Sequence, residues 1–129
     1  MVLSQRYIQI ALVYLIIGML MGLHMAITLD YTHKVTHVHL LMLGFIIQVA
    51  YAGIIKGWLA QHRSALMSWQ FYLHQLGTVL LIAGFVMLFG GYAHPAIAGS
   101  LAGLGALLAL AAVSLMLWLF TRVGAKQAD

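Results

Sequence analysis

Hydrophobic positions along the chain fall into four long runs, roughly 7–28, 35–55, 66–90 and 96–120, and polar positions gather in the gaps at 29–34, 56–65 and 91–95. The runs are continuous rather than alternating, which excludes a membrane β-barrel, whose strands alternate inward and outward residues. Each run meets the ~20 residues that a helix needs to cross about 30 Å of hydrocarbon. Short gaps between long helices make neighbours antiparallel. The pattern therefore predicts an all-α, integral membrane four-helix bundle, up-down-up-down, as a single domain over 1–129. Pro95 stands just before the last run, where its missing N–H costs little. The first run is too long for a signal-peptide core and is followed by no convincing cleavage site, so it is expected to be retained.

Composition agrees with this pattern. Of the residues, 64% are hydrophobic and only 6% charged, against about a quarter charged in a soluble domain, and the mean hydropathy is +1.04. There is no cysteine, which excludes disulfides, thiolate metal sites and iron–sulfur clusters. Charge then orients the spans. Arg6, Lys56, Arg63, Arg122 and Lys126 fall on one side, while the other carries Asp30 and Lys34. The positive-inside rule places both termini in the cytoplasm of a bacterial-type inner membrane. The net charge of +4 is thus a topology signal. No basic groove lies outside the membrane, so a nucleic-acid partner is not expected.

Candidate chemistry rests on the seven histidines. His37-Val38-His39 opens the second run. At roughly 100° per residue, this spacing turns the two imidazoles to nearly opposite faces of a helix. His24, near the end of the first run, lies at the same outer level. His33 and His94 belong to outer gaps, and His62 to the cytoplasmic one. His74 sits deeper, on the order of 15 Å from His39 along the normal. A second site or a hydrogen bond to a cofactor edge therefore suits it better than a shared iron. Ionisable side chains at membrane depth are expensive and face a bundle interior or cavity. The plain alternative for each is a hydrogen bond to a neighbouring helix or to the interface.

A zinc or copper ion wants three or four ligands converging on a point, whereas His37 and His39 diverge. Heme iron needs only one or two axial imidazoles and an apolar slot. Leu40, Leu41, Leu43 and Phe45 beside Gly44 offer such a slot, and Met19, Met21, Met25 and Met42 are available for packing or as thioethers. Imidazoles facing two ways bring each subunit against two hemes, which points to an oligomer.

The stretch Val35-Thr36-His37-Val38-His39-Leu40-Leu41-Met42-Leu43-Gly44-Phe45 resembles the His-x-His helix of subunit I of heme-copper oxidases and nitric oxide reductases. It is closer still to small four-helix membrane proteins described as oxidase subunit I-like. In these, a preceding Met-Gly-x-His (here Met21–His24) and a later Leu-His-x-x-Gly (here Leu73–Gly77) recur. The resemblance covers roughly residues 18–80. It implies that His37 and His39 serve a high-spin and a low-spin heme respectively. It also implies that a homotrimer rebuilds the twelve-helix arrangement of the oxidase subunit, with His39 of one subunit and His37 or His24 of the next bracketing one heme. The chain departs from the oxidases in having no His-His pair for copper and no acidic residue within a span. Proton pumping and oxygen reduction are therefore not carried over, and no catalytic residue is assigned.

The leading expectation is a b-type membrane cytochrome with His39, His37, His24 and His74 as cofactor residues. It would serve electron transfer, with a redox partner or quinone, or diatomic gas binding. Two alternatives stand beside it. One is an accessory protein that binds copper or heme transiently near the outer face. The other is a metal-free scaffold subunit whose histidines tie helices together.

Overall fold

The computed structural model describes residues 2–126 and is all-α. Four helices carry the chain: α1 (Leu3–Thr28), α2 (Lys34–Trp58), α3 (Ala65–Gly90) and α4 (Pro95–Lys126). All four are long and apolar enough to cross a membrane, the make-up of a multi-pass membrane protein. Asp129 lies outside the described residues.

Local chemistry explains where the helices stop. After Thr28, Leu29 takes a left-handed backbone (φ 55°), an uncommon state for a side chain with a Cβ. It turns the chain into a short loop in which the Asp30 carboxylate accepts from the Thr32 N–H at 3.0 Å and the Thr32 hydroxyl at 2.6 Å. Gly91 ends α3 with φ 69°, a conformation that glycine adopts without steric cost, and the Tyr92 N–H closes back on the Met87 carbonyl at 3.0 Å. At the start of α4, the His94 ring Nδ1 accepts the Ala96 N–H at 3.3 Å, and its carbonyl accepts from Ile97 and Ala98.

Contacts run antiparallel between successive helices. Against α1, Gly22 meets His37, Gly18 meets Leu41 and Tyr14 meets Gly44 of α2. Between α2 and α3, His39 meets Phe85 and Tyr51 meets His74. Between α3 and α4 the backbones come closest. A Cβ added at Gly84 would stand 2.5 Å from the Ala102 nitrogen, and one at Gly77 would stand 2.6 Å from that of Ala109. This is the small-residue packing that lets membrane helices approach without a hydrophobic driving force.

A core shared by all four helices lies in the half of the molecule that holds Arg6. It joins Tyr7 of α1, Tyr51 and Ile55 of α2 with Leu59 just after it, Phe71 of α3, and Met116 and Leu119 of α4. The outward faces are apolar, with Ile16, Leu20 and Ile27 on α1 and Leu107, Leu110 and Leu117 on α4 all exposed. Continuous apolar exposure of this kind is the surface that lipid covers.

Helix α2 is interrupted. Residues Met42–Ile46 form a π-helical turn, and the Ile47 N–H bonds the Met42 carbonyl, five residues back. In a regular α-helix that N–H would reach Leu43. The Leu43 carbonyl is thereby released from the ladder, at the depth where α3 crosses.

Candidate cofactor site

The two imidazoles of His37-Val38-His39 leave α2 towards different neighbours. His37, half-buried, lies over Gly22 of α1. A Cβ there would stand 3.0 Å from His37 Cε1, so the glycine makes room for the ring. His37 Nδ1 is buried and finds no hydrogen-bond partner among the described residues. His39, also half-buried, packs edge-on against Phe85 of α3, with ring centroids 4.9 Å apart. Its Nδ1 lies 2.9 Å from the Val35 carbonyl. A carbonyl only accepts, so Nδ1 carries the proton and Nε2 keeps its lone pair. Among the described residues, nothing occupies that Nε2 in a hydrogen bond. An imidazole anchored through Nδ1–H to a backbone carbonyl has its ring orientation and tautomer fixed for metal ligation.

His24 projects from the exposed face of α1, one turn before the helix end, where its carbonyl accepts the Thr28 hydroxyl at 2.8 Å. In the adjoining loop, the two Thr32 hydrogen bonds hold the Asp30 carboxyl below the usual carboxylate range, and the nearby His33 and His24 act in the same direction. Among the described residues, no group of three histidine or carboxylate side chains converges as a metal site. The space beside Gly44 is filled by the Tyr14 ring of α1. Met25 is buried, while Met19 and Met42 face outward.

His74 is fully buried on α3 and committed elsewhere. Its Nε2–H donates to the released Leu43 carbonyl at 3.0 Å, and its ring stands edge-on to Tyr51 at 5.0 Å. The π turn and His74 thus form one unit: the turn creates an acceptor and the imidazole satisfies it. His74 Nδ1 is buried without a partner among the described residues.

Around His74 lies a polar core that histidine counting missed. Gln75 donates to the Gln48 side-chain oxygen at 2.7 Å, and Gln48 donates to the Gly44 carbonyl at 2.9 Å. Tyr7 donates to Gln70, which in turn donates to the Ala112 carbonyl of α4 at 3.2 Å. Gln48, Gln70, His74 and Thr78 are all fully buried. A signal was present, because Gln70, His74 and Thr78 recur every fourth residue and so share one face of α3. Of the remaining histidines, His94 caps α4, His62 lies near the start of α3 and His33 precedes α2.

No protein-family model matches the chain, and no curated protein or solved structure matches it.

Proposed function

We propose that the protein is a membrane heme-binding protein of the b-type cytochrome kind, serving electron transfer or diatomic gas binding rather than turnover of a soluble substrate. The observation that carries this reading is His39. It is a half-buried imidazole whose Nδ1–H is held by the Val35 carbonyl and whose Nε2 lone pair is left free. That donor state is the one an axial ligand of heme iron requires. His37, turned to the other side of α2, is the second ligand candidate, and His24 the third. His74 belongs with the cofactor residues as a brace for α2 rather than as a ligand, since its Nε2–H is engaged by Leu43. When bound, heme supplies a one-electron couple and, where one axial position is open, a site for a diatomic gas.

In this reading the chain's own residues hold and orient the group. The Val35 carbonyl sets the His39 tautomer, and Phe85 restrains the ring from α3. His37 and His39 turn to two different helices of the chain, α1 and α3; in this reading each face serves a separate heme, and a homotrimer completes the sites by closed cyclic symmetry. Two features support an oligomer. His24 is exposed on a lipid-facing helix, where an ionisable group needs a partner. Among the described residues, a Cβ added at Gly99 or Gly103 on α4 would meet nothing within 4 Å, although small residues at that spacing permit close helix approach. The membrane in this reading is a bacterial inner membrane, with the Arg6 end in the cytoplasm and a quinone or protein redox partner.

The test is the absorption spectrum of the purified protein. A sharp Soret band that shifts on dithionite reduction is expected, and His39→Ala should abolish or strongly perturb it while His62→Ala leaves it unchanged. A colourless preparation after heme supplementation overturns the reading, as does copper found in stoichiometric amount by elemental analysis. An unaltered spectrum in the His39 variant removes the ligand assignment.

A further inference from the structure

At the end of the molecule where α1 and α3 begin and α2 finishes, the helices enclose a half-open cavity of about 870 Å³. Its floor is apolar, made by the buried Ile55, Leu59 and Met67. Its walls hold Arg6 from α1, Lys56 from α2 and Arg63 from the following loop, all exposed. The only carboxylate among the described residues, Asp30, lies in the loop at the opposite end of the helices, so among the described residues these cations face no acid. Residues of the first turns of α1 and α3 also line the cavity. Neither turn has an acidic residue, so the positive ends of the two helix dipoles are not offset there. Ser4 and Ser68 supply hydroxyl donors on the wall.

We infer that this cavity binds one anionic phospholipid, with its phosphodiester held by Arg6, Lys56 and Arg63 and its glycerol and proximal acyl carbons on the Ile55–Leu59–Met67 floor. The positive-inside rule accounts for basic residues at this end, but it asks nothing of their arrangement around a hollow. Cations drawn from three separate segments converge here over an apolar floor, at the boundary where spanning helices emerge from lipid. A basic pocket between membrane helices on the cytoplasmic side is where anionic head groups dock. Guanidinium forks match phosphate oxygens in pairs. The inference is independent of the heme reading, because no histidine of the candidate cofactor site touches the cavity.

The experiment uses the full-length protein in neutral detergent, loaded with phosphatidylglycerol or phosphatidylcholine and examined by native mass spectrometry alongside thermal unfolding. Retention of one phosphatidylglycerol per chain with a raised Tm is expected, without comparable retention of phosphatidylcholine. The double variant Arg6→Gln/Arg63→Gln should lower phosphatidylglycerol occupancy by about tenfold or more, and Lys56→Gln by less. Lys34→Gln, at the opposite end, should leave it unchanged. Unfolding without lipid checks that each variant is folded. Equal retention of the two lipids overturns the assignment, as does an equal loss in Lys34→Gln. Millimolar inorganic phosphate that displaces the lipid and raises the Tm as well identifies a free phosphate site and overturns the lipid one.

Discussion

His74 illustrates how one side chain is fixed by a backbone irregularity on another helix. Its Nε2–H satisfies the Leu43 carbonyl that the π turn of α2 releases. Replacing His74 by leucine strands a buried acceptor, which costs roughly 1–3 kcal/mol. A clear drop in Tm in detergent is therefore expected for His74→Leu, with any heme spectrum retaining its ligand signature. Loss of that signature with unchanged stability would reassign the residue as a ligand. The histidine pair was legible in the sequence because an i, i+2 spacing diverges on any helix, and His37 and His39 do meet different neighbours. The state of each ring nitrogen was not legible, because it depends on which carbonyl stands opposite. For His39 that carbonyl is four residues away in sequence, but for His74 it is thirty-one away.

Among the helices, glycines divide into those consumed within the chain and those left open. Gly84 abuts the Ala102 backbone, whereas among the described residues nothing lies within 4 Å of a Cβ added at Gly99 or Gly103. Gly84→Ala must push α3 from α4, and overpacking of this kind costs about 1–3 kcal/mol. Gly99→Ala should leave the folded chain intact but shift a trimer towards monomer in analytical ultracentrifugation. If Gly99→Ala lowers the Tm as much as Gly84→Ala and leaves assembly unchanged, the division is wrong. The sequence contains three glycine pairs four residues apart, Gly18/Gly22, Gly53/Gly57 and Gly99/Gly103, and spacing alone does not rank them. Only packing reveals that the first seats Leu41 and His37 while the others stay open. Helix lengths were readable because hydrocarbon thickness dictates them. The π turn was not, since Met42–Ile46 differs in no obvious way from the apolar residues on either side.

For the molecule as a whole, asymmetry is the dominant property. One end gathers Arg6, Lys56, Arg63 and Arg122, and the half beneath it holds the core shared by all four helices. The opposite half carries His24, His37 and His39. Topology reporters should therefore find a phosphatase fused after Tyr92 active outside the cytoplasm and one fused after Gln61 inactive. The reverse result would invert the orientation and move the histidines to the cytoplasmic side. The π turn stands between the two halves. Such a turn is what remains when a single residue is spliced into a helix. Deleting one residue from 42–46 would restore an unbroken α-helix and swing everything upstream by about 100° about the axis. His37 and His39 would then fall out of phase with Gln48 and Tyr51. One codon thus sets the angular offset between the imidazole pair and the polar core, and so decides which neighbour each ring meets.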